Sequence, residues 1–338
     1  VPKSHPIPVV ICGTNYGRAY LDAISAAHRR YTLVGLVARG SQRSQNLACR
    51  LRLPLWGNAA EIPPHVKLAC VALGIDGESV TLDILNRGIA VLCEHPVRPA
   101  FLRAALKLAS RRNARFHVNT HFPELPAPCA FISHASQLSA QSAPRFIAGI
   151  ATERSLYSVL EILRRAIGKL NLHHISHATT TPNAEFKAIH AQFGHADASL
   201  LIQDLTATRK FPTPDAHHDY LLDFRLTLGF PANILTLAGL AGPVFSQSPY
   251  NSSTSSSQPL WRIIQANNPR TIAQLAHLRV AANLKALDDL TNAGRREEHP
   301  NAQSPQHLLD VSTAWEAITK SRNPPAPRIS PRERYTGS

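Results

Sequence analysis

The sequence predicts two unlike parts: an α/β domain on a parallel sheet over residues 1–122, then an α+β domain with a large, mostly antiparallel sheet over 123–322. Three observations lead there. In the first third, short β-branched runs alternate with amphipathic helical patterns. Beyond residue 170, strand-like runs follow one another directly. Between them, "NTHFPELPAP" breaks the alternation.

The first part reads element by element. PVVIC (8–12) is a buried strand, and RAYLDAISAAHRR places Ala19, Leu21, Ala23, Ile24 and Ala27 on one helical stripe. YTLVGLVAR (31–39), VKLACVALG (66–74), IAVLC (89–93) and RFHVNT (115–120) are four further strands. The helices SQNLACRLRL, ESVTLDILNRG and PAFLRAALKLASRRN separate them, and Gly88 suits a helix C-terminus. Strand–helix alternation at this spacing predicts parallel strands with right-handed crossovers, the dinucleotide-binding (Rossmann) arrangement.

In the second part, SLYSVLEILRRAIGK (155–169) is a helix. NLHHISHATTT, FKAIHAQFG, ASLLIQDLTATR and YLLDFRLTLGF are long strands. Residues 246–259 are too serine-rich to pack and predict a surface loop. Two late helices follow, and residues 323–338 form a polar tail expected to be disordered.

Hydrophobic residues make up 44% of the 338 and charged residues 17%, a globular balance. No apolar run approaches the roughly 20 residues of a membrane helix. VPKSHPIPVVICG leads straight into a strand, which predicts no secretory signal. The five cysteines show no C-x-x-C spacing and four sit in or beside apolar runs, predicting buried thiols and a cytoplasmic setting. Methionine is absent, and nothing physical explains it. With 36 Lys and Arg against 22 Asp and Glu, the net charge is +14, which asks for an acidic partner or ligand. The densest basic groups, Arg111/Arg112/Arg115 and Arg295/Arg296, lack interleaved aromatics, so a phosphorylated cofactor or an acidic protein is preferred over nucleic acid.

The first βα turn, "VVICGTNYGRAY", is a reduced form of the three-glycine dinucleotide fingerprint. Cys12 and Thr14 occupy its first two positions and only Gly17 keeps its glycine, with Gly13 between them. Gly13, Thr14, Asn15, Tyr16 and Gly17 are therefore candidate phosphate-binding residues. An NAD site carries an acid at the end of the second strand. Here "VARGSQRSQ" offers Arg39, Ser41, Arg43 and Ser44 instead, donors suited to a ribose phosphate, so NADPH is the expected cofactor.

"CEHPVRP" puts Glu94 and His95 at the carboxyl end of a strand, where a nicotinamide would lie, with Pro96 fixing the turn. The series "GLVARGSQRSQNLA", "CEHPVRP", "VNTHFPE" and "LGFP…GPVFS" resembles the thiazolinyl imine reductases of the glucose–fructose oxidoreductase (Gfo/Idh/MocA) superfamily. The likeness covers most of residues 8–245. Elsewhere in the superfamily a lysine stands where His95 stands here.

The resemblance implies NADPH-dependent reduction of a thiazoline C=N bond in yersiniabactin- or pyochelin-type siderophore biosynthesis. The substrate would ride on a nonribosomal peptide synthetase carrier domain, and the enzyme would be a homodimer. It also implies Glu94, Pro96 and Asn119 beside the nicotinamide, a cis bond at Pro96, and Phe122, Tyr157 and Ser158 lining the substrate pocket. The D-x-x-x-H motif of sugar-oxidising members is missing from "TERSLYSVLEIL". A family tyrosine that could donate a proton falls on Phe122, which cannot. Imine reduction needs an acid that titrates near working pH, and His95 is the leading choice, then His121, with water as the alternative. "HHISH" invites a metal, but strand alternation puts His173 and His177 on one face and His174 on the other, so no metal site is expected. Two alternatives stand beside the reductase: another imine or carbonyl reductase of the superfamily, and a noncatalytic NADPH-binding regulator.

Overall fold

The computed structural model describes residues 5–74, 77–178, 184–204, 220–248, 259–265, 268–292 and 300–322. The first part alternates β1 (Ile7–Cys12), α1 (Arg18–Ala26), β2 (Tyr31–Val37), α2 (Gln42–Leu51), β3 (Leu55–Trp56), β4 (Leu68–Val71), α3 (Gly77–Asn86), β5 (Ala90–Glu94), α4 (Pro99–Arg111) and β6 (Phe116–Asn119). Its six strands form one all-parallel sheet in the order β3-β2-β1-β4-β5-β6. Val9 to Cys12 and Leu68 to Val71 are buried throughout, which is why these strands read as continuous apolar runs. The order reverses between β1 and β4, opening a crevice at their carboxyl ends.

Several expectations are refined. Six strands replace five, because the two-residue β3 is too short to leave an apolar run. β5 includes Glu94, which is the cross-strand partner of Asn119 on β6. Gly88 ends α3 as expected, at φ 75°. Cys12, Cys70 and Cys93 are buried, but Cys49 and Cys129 are exposed, one thiol more than expected.

The second part contains α5 (Pro126–Gln141), β7 (Phe146–Thr152), α6 (Leu156–Ile167), β8 (Leu172–Ala178), β9 (Phe186–Phe193), β10 (Ala196–Gln203), β11 (Phe224–Phe230), β12 (Asn233–Leu237), β13 (Val244–Gln247), β14 (Trp261–Gln265), α7 (Ile272–Asn292) and α8 (Pro305–Arg322). Eight strands pair in the order β14-β13-β12-β11-β7-β10-β9-β8, antiparallel except where β7 meets β10. The sequence reading passed over α5 and β7. Pro126 opens α5 at a position where a missing N–H costs nothing. β7 is the sheet's hidden centre, its Gly149 leaving room for Leu200 and Leu226 on either side.

Nine of the twelve residues of α6 are buried, so this helix is enclosed on nearly all sides. β13 runs on to Gln247, into the expected loop, while residues 249–258 and the tail 323–338 lie outside the described residues. In β8 the strand alternation breaks, because His174 adopts φ 49° and the register shifts between His173 and Ser176. The face argument for the three histidines therefore does not hold.

α7 returns to the first sheet. Its Leu287 and Leu290 share a core with Val9, Ile11, Tyr20 and Leu36, and the Tyr31 hydroxyl donates to Asp288 at 2.7 Å. The Gln303 side chain satisfies both backbone groups of Val118 on edge strand β6, at 2.9 and 3.0 Å. Among the described residues no helix is long and apolar enough to cross a membrane.

Candidate active site

The glycine turn keeps its geometry with its glycines shifted. Gly13 has φ 97°, and a Cβ there would stand 2.4 Å from the carbonyl oxygen of Ala72. At Gly17, the N-cap of α1, a Cβ would stand 2.0 Å from the Gly13 carbonyl oxygen. Gly13 thus supplies the tight turn and Gly17 the close helix packing. Thr14 is buried, while Asn15 and Tyr16 lie exposed on the turn. Such a tight glycine turn at a helix N-terminus fits a dinucleotide pyrophosphate.

At the end of β2, Arg39, Ser41 and Arg43 are exposed where an adenosine ribose would lie. Ser44 departs from expectation. It is buried, its hydroxyl lies 2.6 Å from that of Ser41, and its backbone N–H is capped by Ser41. Ser44 holds the helix cap from a buried position.

Glu94 ends β5 and His95 follows it, and the His95–Pro96 peptide is cis, as expected. His95 Nδ1 lies 2.8 Å from the Asn119 carbonyl oxygen and 3.0 Å from Glu94 Oε1. Both neighbours only accept, so Nδ1 carries a proton. Nε2 lies 3.1 Å from Ser158 Oγ. Burial disfavours the imidazolium, but the Glu94 carboxylate outweighs it and raises the His95 pKa above its ordinary value. Burial likewise opposes the charge on Glu94, yet His95, His121 and the Tyr20 hydroxyl together hold its carboxyl below the usual range.

Two residues that sequence reasoning missed complete this centre. The buried Tyr20 hydroxyl donates to Glu94 Oε2. Asn119 Nδ2 contacts Tyr20 Oη at 2.8 Å, Asn283 Oδ1 at 2.9 Å and Glu94 Oε2 at 3.2 Å. Asn283 in turn reaches the Ala19 carbonyl at 3.4 Å. Tyr20 reads as one more residue of an apolar stripe, and Asn283 lies 164 positions from Asn119. No spacing signal could have joined them.

Tyr157 and Ser158 are fully buried on α6, so neither lines an open pocket. The Tyr157 ring backs His95 at 5.6 Å and meets Trp315 at 6.0 Å. His121 is buried beside Phe122, ring centres 4.5 Å apart. Burial lowers the His121 pKa to about 4, which leaves this imidazole neutral near pH 7 and a poor proton donor. A third element missed by sequence, Arg279 of α7, crosses the Phe122 ring at 5.5 Å. Among the described residues no group of three or more His, Cys, Asp or Glu could hold a metal.

Residues 7–120 match the oxidoreductase family with an NAD-binding Rossmann fold (GFO_IDH_MocA), and residues 142–246 match the C-terminal domain of the Irp3-like thiazolinyl imine reductases. Together these matches span more than half the chain. The chain belongs to the Gfo/Idh/MocA oxidoreductases, with an Irp3-like second domain. α7 and α8 lie beyond both matches. No curated protein matches the sequence.

Among solved structures, GenD2 from gentamicin A biosynthesis, in complex with NAD, is 14% identical with a TM-score of 0.68, covering 95% of each chain. An Agrobacterium radiobacter oxidoreductase, in complex with NAD+, L-tartaric acid and magnesium, is 10% identical with a TM-score of 0.67, covering 94% of this chain and 96% of the other. A super-repressor mutant of Gal80p from Saccharomyces cerevisiae is 12% identical with a TM-score of 0.66, covering 94% and 95%. At such identities the likeness establishes the fold alone.

Proposed function

We propose that this protein uses NADPH to reduce the C=N bond of a thiazoline ring to a thiazolidine, on a siderophore intermediate tethered to a nonribosomal peptide synthetase carrier domain. The observation that carries the reading is His95, an imidazole with a fixed Nδ1 proton and a raised pKa at the carboxyl end of β5. The Irp3-like second domain supports the substrate class.

Gly13 to Gly17 would hold the pyrophosphate, and Arg39, Ser41 and Arg43 the ribose phosphate that separates NADPH from NADH. The bound cofactor supplies the hydride to the ring carbon. The ring nitrogen then needs one proton. A substrate nitrogen takes it from His95 Nε2, the nitrogen that Asn119 does not hold, while Glu94 stabilises the imidazolium and Asn119 keeps the ring in place. Water is the other proton source this reading admits.

The net charge of +14 favours transient docking of an acidic carrier domain. A homodimer is proposed through the sheet face that displays Phe146, Trp261 and Ile263, the last two 59% and 52% exposed. The deciding experiment follows NADPH oxidation with a hydroxyphenyl-thiazoline thioester, simple carbonyls and sugars. Oxidation with the thiazoline alone supports the reading. Turnover of carbonyls alone would assign another reductase activity of the family, and tight NADPH binding without any turnover a noncatalytic sensor.

A further inference from the structure

Among the described residues, two buried nitrogens beside one aromatic ring have no hydrogen-bond partner. His121 Nδ1 and Arg279 Nε are each shielded from solvent and bonded to no described residue, although the His121 ring centre and the Arg279 guanidinium carbon lie 4.5 and 5.5 Å from the centre of the Phe122 ring. A buried polar group left unpaired costs about 1–3 kcal/mol, so two at one spot point to a ligand that completes them. Among the described residues the carboxylate that approaches Arg279 is that of Asp223, and at 3.7 Å it stands beyond hydrogen-bond reach. Burial raises the Asp223 pKa against the pull of Arg279. The aromatic rings of Phe122 and Phe224, 6.0 Å apart, border the same place.

The chemistry of the pair defines what it would take. Arg279 only donates, and a neutral His121 can place its single N–H on Nδ1. Two unpaired donors beside the same aromatic ring suit an oxygen acceptor on a planar ring, and an anionic oxygen most of all. We propose that Arg279 and His121 form an oxyanion-binding pair that anchors an aromatic ligand across Phe122. Planar rings bearing such an oxygen can come from two sources: an aromatic acid or phenolate on the substrate, or the carboxamide of the nicotinamide ring. This rests on reading the cleft as a nucleotide and substrate site, and it assigns α7 a binding role from outside both family matches.

The test is calorimetric titration with two probes. NADPH is titrated into the free protein, and salicylate into the free and the NADP+-saturated protein. Arg279→Gln and His121→Phe are each expected to weaken one probe by about tenfold or more, and Arg279→Lys to recover part of the loss. Loss confined to salicylate assigns the substrate ring, and loss confined to NADPH assigns the carboxamide. Asp223→Asn, which removes the competing carboxylate, is expected to tighten the affected probe. If neither probe changes by more than about twofold in Arg279→Gln and His121→Phe, both melting like the parent, the pair binds nothing and the inference fails. Should Arg279→Gln not fold, unchanged affinities in both His121→Phe and Asp223→Asn overturn it equally. Failure of the wild type to bind NADPH would instead sink the reductase reading, while salicylate binding to the free protein still tests the pair.

Discussion

The Nδ1 atom of His95 lies 2.8 Å from the carbonyl oxygen of Asn119, so β6 dictates which nitrogen of the β5 histidine carries the fixed proton. An asparagine side chain can mimic that Nδ1–H but has no titrating proton. His95→Asn should therefore keep the link to Asn119 and lose the acid. We expect turnover of the thiazoline substrate to fall about 100-fold, the usual scale of a lost general acid, with NADPH affinity unchanged. A fall of only a few-fold, measured by stopped-flow NADPH oxidation, would move the proton to water.

Glu94 sets the pH range of that acid. The His95 pKa is raised, so the imidazolium persists above the ordinary histidine value, and turnover should decline only as pH rises through the raised value. Its stabilising effect on the fold has the same sign: fully present below the unfolded-state pKa, lost as pH climbs through the folded one. In Glu94→Gln the opposing effect of burial prevails. The alkaline limb of the kcat profile should then shift to lower pH, and an unshifted limb would remove Glu94 from this role.

The nucleotide preference rests on groups around the end of β2. Arg43→Ala should weaken NADPH binding by about tenfold while leaving NADH unchanged, because only the former carries the ribose phosphate. Ser44→Ala should act differently. Its hydroxyl is buried in the α2 cap beside Ser41, so its loss should lower the thermal midpoint and leave the NADPH-to-NADH ratio intact. Fluorescence titration of both nucleotides separates the two outcomes.

The parallel sheet was readable because its central strands β1 and β4 are buried on both faces, and that writes continuous runs such as VVIC into the chain. His95 was readable because a charged residue and an imidazole at the mouth of a buried strand have no role in packing. β7 was not readable: its centre, "IAGIA", alternates nothing, since small residues there make room for Leu200 and Leu226 from neighbouring strands. The network around Glu94 was equally invisible. Tyr20 occupies an apolar stripe, and Asn283 reaches Asn119 only because α7 folds back across the first sheet. Interactions written by tertiary return leave no local pattern.

That network predicts how stability should respond to acid. Tyr20 donates to Glu94 Oε2, and Asn119 Nδ2, with two protons, is shared among Tyr20, Glu94 and Asn283. Tyr20→Phe leaves the buried carboxylate with Asn119 as the one donor to Oε2, a loss of about 1–3 kcal/mol near neutral pH. Glu94 has a lowered pKa, so its contribution is present above the unfolded-state value and disappears as pH falls through the folded one. The stability deficit of Tyr20→Phe should therefore be largest near pH 7 and shrink as the solution is acidified below the ordinary carboxyl range. Asn283→Leu, which touches Asn119 and not the carboxylate, should instead give a deficit nearly independent of pH. Thermal melts of both variants across that range measure the difference. Parallel curves would show that Tyr20 serves packing alone.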